Sequence, residues 1–400
     1  MRDNTVDVFF ALVRAGLFPV HGEGFTVNDS FPKDVDWGKV YQLATEQSVL
    51  GLVLAGIEAV QGSWFKVNGS PLVPQMLLLQ WIGEVQLLEQ RNKDMNAFIA
   101  ELIEKLRKED VYAILVKGQG VAQCYEKPLW RACGDVDLLL SDDNYNRAKA
   151  LLTPIASEVE KECVQEKHLG MKIDGFLVEL HGILHVGLSA RMEKGLDEIK
   201  RAIFYEGRVR SWSNGQTQVF LPAANEDVVY VFAHMLQHFY KEGLGLRQVC
   251  DWCRLLYTYR DSLNHGLLES RIRKAGLMSE WKAFGALAIE YLGFPKDSMP
   301  LLDVRCKKED GRCEIDANLR KKADKICEFI LEVGNMGHNR GSWLMEHDSW
   351  LSRQYVVRKA FSMFRRIGDL INHARIFPLD SLRFFPYIVF NGIRSAVRGE

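Results

Sequence analysis

The chain has 400 residues, of which 47% are hydrophobic and 26% are charged, a composition typical of globular proteins, and we expect two or three subdomains at this length. The formal net charge of −1 argues against a protein that holds long nucleic acid mainly through phosphate contacts. No apolar run is long enough to span a bilayer and the first residues lack a signal-peptide core, so the expected location is cytoplasmic.

The first hundred residues show a helical pattern. Apolar side chains recur at three-to-four spacing in two stretches, namely Trp37, Val40, Leu43 and Ala44, and then Leu77, Trp81, Val85 and Leu88. The segment 69–74, Gly-Ser-Pro-Leu-Val-Pro, separates these predicted helices.

Residues 111–116 are apolar, aromatic and β-branched, which predicts a buried strand. The segment 117–120, Lys-Gly-Gln-Gly, ends that strand, and a short helical pattern follows. A helix start offers backbone N–H groups and a positive dipole end, and Lys117 adds a full charge, so the pattern predicts an anion site. The alternative is a tight turn that needs the positive φ of glycine.

Asp135 and Asp137 open the next apolar run. In a strand, residues two apart point to the same face, so both carboxylates project together. Two anions held so close are costly unless a hard cation such as Mg²⁺ lies between them. The alternative interpretation is a turn acid beside a strand-edge acid.

Further along the chain, Asp174-Gly175 lies between two apolar runs and predicts a hairpin. The second arm of that hairpin places Glu179 and His181 on one face. Turn chemistry already explains Asp174, whereas it does not explain Glu179. Alternatively, Glu179 is an exposed acid on an edge strand and His181 a hydrogen-bonded strand histidine.

The chain resembles the nucleotidyltransferases of the DNA polymerase-β-like superfamily, and more narrowly the bacterial branch labelled an uncharacterised nucleotidyltransferase family. The resemblance spans most of residues 35–255 and rests on the order of a strand, Lys117-Gly118, a helix, Tyr125, Arg131 and the segment 134–138, Gly-Asp-Val-Asp-Leu. In the wider superfamily a Gly-Ser pair opens the helix, whereas this chain has Gly118-Gln119. Lys117 is then the natural group to hold the triphosphate.

The resemblance implies an α+β fold. A small mixed β-sheet nucleotidyltransferase core at 109–222 would be flanked by an N-terminal helical region, 1–108, and a C-terminal helical domain, 223–400. The implied activity transfers a nucleoside monophosphate from a nucleoside triphosphate to a hydroxyl of a small molecule, peptide or protein, with release of pyrophosphate. The implied catalytic residues and ligands of Mg²⁺ or Mn²⁺ are Asp135, Asp137 and Glu179. The implied nucleotide-binding residues are Lys117, Gly118, Gln119, Arg131 and His181.

Several alternatives remain open at this point. Arg131 could instead be a structural partner of Asp135 or Asp137. A glycosyltransferase also uses Asp-x-Asp to bind a metal and a nucleotide-sugar, but it would need a βαβ region before the motif, where this chain is helical. A catalytically silent relative could serve as a binding or antitoxin-like partner. The acceptor, the preferred base and the oligomeric state are not determined by the sequence.

After a last strand at 217–221, Asn225 is expected to cap a helix with two acids in its first turn. His234 and His238 lie one turn apart, either at an interface between this helix and the sheet or lining the acceptor pocket. Arg247 and Asp251 have the spacing of an i,i+4 ion pair.

The remaining C-terminal features concern thiols, charge and aromatic residues. The eight cysteines are expected to be reduced, and a zinc site from Cys250, Cys253, Cys306 and Cys313 is the less favoured alternative to packing. Residues 302–325 are dense in charge and suggest an exposed connection. The basic, aromatic tail from Trp350 is expected to close over the core, with contact to a membrane surface or a protein as the alternative. Its Phe-Pro pairs at 377–378 and 385–386 argue against one long helix.

Overall fold

The computed structural model describes residues 4–18, 35–61, 73–302, 305–306, 313–335, 368 and 370–397. Four helices precede the first strand: α1 (Asn4–Leu17), α2 (Trp37–Glu46), α3 (Leu50–Gln61) and α4 (Gln75–Lys108). The predicted helical pattern before residue 110 is therefore confirmed in the described part, and most of the proposed separator at 69–74 lies outside it.

A seven-stranded mixed sheet follows these helices, in the spatial order β3-β4-β5-β2-β1-β7-β6. The strands are β1 (Ala113–Val116), β2 (Asp135–Leu140), β3 (Glu158–Val159), β4 (His168–Ile173), β5 (Phe176–His181), β6 (Val209–Asn214) and β7 (Thr217–Pro222). Strands β2 and β5 pair in parallel, as do β1 and β7, while the other pairs are antiparallel. The helices between strands are α5 (Gly118–Ala122), α6 (Asp142–Leu152) and α7 (Ala190–Tyr205). This mixed sheet within a largely helical chain confirms the predicted α+β class.

The two faces of the central sheet differ in chemistry because side chains alternate along each strand. Val136, Leu138 and Leu140 of β2 join an apolar core with α4 and α6. The intervening residues Asp135 and Asp137 point to the opposite face. Packing thus fixes one face of β2, while the other face carries two carboxylates before Leu139 joins the larger core.

The predicted hairpin between β4 and β5 is confirmed. Asp174 has φ 49° and Gly175 has φ 83°, so both central residues lie in the left-handed region that a two-residue type I′ turn requires. The turn sets a register in which Glu179 lies opposite Gly170 and His181 opposite His168. Local turn chemistry therefore decides which side chains of β5 reach the polar face.

In its described residues, the C-terminal part forms helices and a two-stranded antiparallel sheet. Its elements are α8 (Ala224–Lys241), α9 (Leu246–Tyr259), α10 (His265–Ala275), α11 (Met278–Leu292), β8 (Arg305–Cys306), β9 (Cys313–Glu314), α12 (Ala317–Val333) and α13 (Pro378–Val397). These helices share one hydrophobic core with α1, α2 and α3. Phe10 of α1, for example, lies 5.2 Å from Tyr291 of α11 between ring centroids. The predicted division at residues 108 and 222 stays a prediction.

The expected cap of α8 is wrong. The cap position is Ala223, and Asn225 lies within the first turn. The side chain of Asn225 instead exchanges hydrogen bonds with the backbone of Asn264, which ties α8 to the start of α10. The two acids of the first turn are as predicted, and each is buried against an arginine: Glu226 with Arg271 and Asp227 with Arg210.

The expectations for residues after 300 hold in part. Residues 307–312 and 336–367 lie outside the described residues. The second half of the proposed exposed connection at 302–325 is helical, because α12 begins at Ala317; its residues up to 325 are exposed or half-buried except Ala323, which is buried. The tail does close over the core where it is described, with Phe377 and Phe384 fully buried. Cys250 and Cys253 are buried within α9, which agrees with packing.

The prediction that the Phe-Pro pairs exclude one long helix is confirmed at 377–378, where Phe377 separates two helical segments, and is wrong at 385–386. Helix α13 spans 20 residues with Pro386 inside it. Pro386 is exposed, and so is Leu382, whose carbonyl loses its helical partner because proline has no N–H. Water can hydrogen-bond to that carbonyl at the surface.

Among the helices that the structure describes, none is long and apolar enough to cross a membrane.

Candidate active site

Three carboxylates converge on the polar face of the sheet. The parallel pairing of β2 and β5 places Asp137 directly opposite Glu179, and Asp135 lies two residues earlier on the same face. Each of the three offers an oxygen atom, and these atoms lie within 4.8 Å of one another. Pairing between distant segments thus assembles the group that the sequence suggested.

The electrostatics of this group favour a divalent cation. The nearby carboxylate of Asp137, and after it burial, raises the pKa of Asp135 above its usual range. Like charges held together in this way are relieved by a cation between them. An all-oxygen donor set at this spacing fits Mg²⁺ or Mn²⁺, which prefer carboxylate ligands.

Lys117 lies at the end of β1 with its backbone in an uncommon conformation. Its φ is 56° and its ψ is −143°, a region that costs a non-glycine residue on the order of 1–3 kcal/mol. The ammonium Nζ lies 2.8 Å from Asp137 Oδ1. Burial opposes the charge of Lys117, but the surrounding acidic groups, with the Asp137 carboxylate first among them, together outweigh burial and raise the Lys117 pKa. The strained backbone thus holds a charged lysine against the acidic group.

Two histidines approach the same acids from β4 and β5. His181 Nε2 lies 2.8 Å from Asp137 Oδ1 and 3.4 Å from Glu179 Oε2. His168 Nε2 lies 3.3 Å from that same Glu179 oxygen. Burial would raise the pKa of Glu179, but these hydrogen bonds and nearby positive charge lower it. Glu179 is therefore held in its ionised form.

The three carboxylates, Lys117 and His168 line a cavity of about 260 Å³. Helices α8 and α9 complete its lining, and their contributions include His234, His238, Arg247 and Gln248. His234 Nε2 accepts a hydrogen bond from Lys117 Nζ at 3.3 Å. Burial, and after it the charge of Lys117, lowers the pKa of His234 well below its usual value, so this imidazole is neutral. His234 thus contacts the residue that follows β1, and His234 and His238 both line the cavity.

A family model described as an uncharacterised nucleotidyltransferase matches residues 33–293, which is more than half of the chain. The chain belongs to that family. No curated protein matches the chain, and no solved structure does. Family membership gives the general activity as nucleotidyl transfer and favours it over glycosyl transfer.

Arg131 of this nucleotidyltransferase has a partner that the sequence did not suggest. Its Nε and Nη2 atoms donate to the two carboxylate oxygens of Asp251, at 2.8 and 2.7 Å. Tyr125 also donates to Asp251, through its hydroxyl at 2.8 Å. The buried guanidinium is therefore paired with Asp251 and with neither Asp135 nor Asp137, and Arg131 also lines the cavity.

The predicted ion pair between Arg247 and Asp251 is accordingly wrong. Asp251 faces the loop before β2, where Arg131 reaches it, and Arg247 Nη1 donates to the carbonyl of Ala132 at 2.7 Å. Arg247 lines the cavity, and its charge lowers the pKa of Asp135, although less than the neighbouring acids raise it. The sequence indicated Arg247 only as the ion-pair partner of Asp251. Its position in the first turn after a glycine gave no signal of the cavity.

The other expected nucleotide-binding residues lie in two different places. Gly118 lines the cavity and has φ 40°, a conformation that favours glycine. Gln119 is buried, and its Nε2 donates to Asn92 Oδ1 of α4 at 2.8 Å. The side chain of Gln119 therefore points away from the carboxylates, into the packing between α4 and α5.

Proposed function

We propose that the protein transfers a nucleoside monophosphate from a nucleoside triphosphate to a hydroxyl acceptor in a reaction that depends on Mg²⁺ or Mn²⁺. The acceptor hydroxyl oxygen forms a bond to the α-phosphorus, and the bond to the departing pyrophosphate breaks. The hydroxyl proton passes to one of the surrounding carboxylates. The observation that supports this reaction is the convergence of three carboxylates in a chain of the nucleotidyltransferase family.

Asp135, Asp137 and Glu179 would hold the divalent ion. A divalent ion bound there supplies an activated hydroxyl and neutralises charge on the triphosphate. Asp137 Oδ1 is already contacted by Lys117 and His181, so its second oxygen is the one best placed as a ligand. The two contacts fix the orientation of the Asp137 carboxylate before any ion or nucleotide arrives.

Lys117 and Arg247 would stabilise charge on the phosphate oxygens. An ammonium has three N–H donors, and the polar contacts of Lys117 are with Asp137 and His234. The guanidinium of Arg247 has five donors and the structure gives it one hydrogen bond, to the Ala132 carbonyl. Fixed positive charge aimed at a transferring phosphoryl group is often the largest electrostatic contribution to such catalysis.

In the decisive experiment, the purified protein is incubated with Mg²⁺ or Mn²⁺, a cell extract and each α-labelled triphosphate in turn. Transfer of the label to an extract component, together with release of pyrophosphate, is the expected result. Asp137→Asn should abolish transfer, and Asp174→Asn is the matched control because Asp174 lies in the β4–β5 turn, where asparagine tolerates positive φ. A γ-labelled triphosphate should give labelled pyrophosphate and no labelled acceptor.

Three other outcomes would each contradict part of the proposal. Transfer that survives Asp137→Asn would show that the metal assignment is wrong. Sugar transfer from a nucleotide-sugar without pyrophosphate would point to a glycosyltransferase. If the protein forms a tight complex with a component of the extract and turns over no triphosphate, it is a catalytically silent relative that acts as a binding partner.

A further inference from the structure

A second group of possible ligands lies beside the carboxylates, on the same face of the sheet. It consists of His168 on β4 with Glu179 and His181 on β5. One donor atom from each lies within 4.8 Å of the others. Two imidazole nitrogens and one carboxylate oxygen suit Zn²⁺ and related transition-metal ions, whereas Mg²⁺ takes oxygen ligands.

The strands hold these side chains in register. His168 and His181 are direct partners across the antiparallel pair, and their ring centroids are 4.9 Å apart. Both Nε2 atoms approach one oxygen of Glu179, at 3.3 and 3.4 Å. Zn–N bonds are roughly 2.0–2.1 Å long. Because these donor atoms already lie 3.3 and 3.4 Å from the Glu179 oxygen, small side-chain movements would turn them toward a common ion.

Solvent can reach the group. The side chains of His168, Glu179 and His181 are 32%, 22% and 14% exposed, and His168 lines the cavity described above. An ion could therefore enter from the cavity and keep water as its fourth ligand. Three protein ligands with one open position is the usual arrangement of accessible zinc sites.

We propose that His168, Glu179 and His181 form a second metal site that binds Zn²⁺ or a similar transition-metal ion in preference to Mg²⁺. Glu179 belongs to both ligand groups, so an ion on the histidine side competes for the carboxylate that the Mg²⁺ group needs. Zn²⁺ is therefore expected to inhibit nucleotidyl transfer. That inhibition rests on the proposed function, whereas the binding itself does not.

The test uses Co²⁺ alone as a spectroscopic probe, on full-length protein without a histidine tag. The wild type should bind Co²⁺ with the visible absorption of a four-coordinate site that has nitrogen ligands, and Zn²⁺ should displace it. His168→Asn should weaken Zn²⁺ binding at least about 10- to 100-fold, which is the loss seen when even an outer-shell partner is removed. His185→Asn is the control, because His185 is a half-exposed histidine paired with Asp197 outside the cavity.

Asp135→Asn separates the two sites. It leaves all three proposed zinc ligands in place, so Co²⁺ absorption should persist while Mg²⁺-dependent transfer is lost. If transfer is never detected in any variant, the Co²⁺ spectrum still tests the second site. A wild-type spectrum without nitrogen ligands would overturn the proposal without reference to any variant. Equal Zn²⁺ affinity of folded His168→Asn and wild type would do the same.

Discussion

Asp137 is the residue on which the polar contacts of the site converge. It is 1% exposed and lies next to an ammonium from β1 and an imidazole from β5. Asp135, two residues earlier, is less buried, and the neighbouring carboxylate of Asp137 raises its pKa. The two aspartates of one motif thus have different environments, and their substitutions should have different consequences.

Asp135→Asn should separate activity from stability. We expect nucleotidyl transfer to fall about 100-fold or more, the order of effect seen when one preorganised charge-stabilising group is removed. The free energy of unfolding should stay unchanged or rise, because a neutral amide relieves repulsion with Asp137. Label-transfer assays and urea unfolding measure the two quantities. A large loss of stability would mean that Asp135 supports the fold in a way that repulsion does not describe.

Arg247 should affect nucleotide binding and leave stability little changed. Replacing Arg247 with Gln removes one of the cations that line the cavity, and we expect KM for the triphosphate to rise about 10- to 100-fold. Arg247→Lys should recover part of that loss, since it keeps the charge without the planar fork. Arg273→Gln, which removes an exposed arginine paired with Glu269, is the control. An unchanged KM in Arg247→Gln would exclude the phosphate role.

Among the elements, the loop before β2 is fixed to α9 by a buried ion pair. Arg131 and Asp251 are 120 residues apart in sequence, and their side chains are 6% and 7% exposed. Asn92 of α4 joins the same region, donating to the carbonyls of Leu129 and Arg131. This cross-linking sets where β2 starts, and hence where its two aspartates lie.

Breaking that pair on one side should be costly. Arg131→Met leaves the Asp251 carboxylate buried without a cation, and we expect the free energy of unfolding to fall by about 3–5 kcal/mol. The double variant Arg131→Met with Asp251→Leu should lose clearly less, because no unpaired charge remains. Urea unfolding of the wild type and variants measures both. A double variant as unstable as the single one would show that the polar contacts themselves, and not an orphaned charge, dominate.

For the whole molecule, the helices at both ends of the described chain close one core. Glu280 of α11 is fully buried inside it and accepts a hydrogen bond from the Tyr240 hydroxyl of α8 at 3.2 Å. Burial, and after it the charge of Asp380 on α13, raises the pKa of Glu280 to about 8, although Arg383 partly offsets this. The packing of α13 against the core therefore affects the ionisation of Glu280, because Asp380 and Arg383 both belong to α13.

Glu280 should make the protein less stable as pH rises. Its folded pKa is above the unfolded value, so the native state binds the proton more tightly, and stability falls as pH increases from about 4.5 to about 8. Glu280→Gln removes this dependence and should be more stable than wild type at alkaline pH, by an amount on the order of 4 kcal/mol. Urea unfolding at about pH 5 and about pH 9 measures the difference.

The matched control for Glu280 lies on the same helix. Glu290 of α11 is partly exposed and pairs with Arg320. Glu290→Gln should change stability by about 0–1 kcal/mol, and by the same amount at both pH values. If the difference between Glu280→Gln and wild type is also independent of pH, then Glu280 does not hold its proton in the folded protein.

Local patterns in the sequence were enough to predict a strand, a turn and the order of the motifs at the candidate site. Alternation along β2, the Asp174-Gly175 turn and the order from Lys117 to Asp137 each depend on neighbours a few residues apart, so they could be interpreted without a structure. The family match agrees with the resemblance those motifs gave. The family resemblance implied that Glu179 would join the two aspartates, and the parallel pairing of β2 with β5 brings them together.

Only the tertiary structure decided which positively charged side chain pairs with which carboxylate. Arg131 and Arg247 are equally charged, and spacing favoured Asp251 as the partner of Arg247, yet the long-range packing of α9 gives Asp251 to Arg131. Gln119 likewise points into α4 because a buried amide at Asn92 is available to it. A long polar side chain can pair with any suitable group that the fold brings near. Which groups lie near it depends on contacts between segments far apart in sequence.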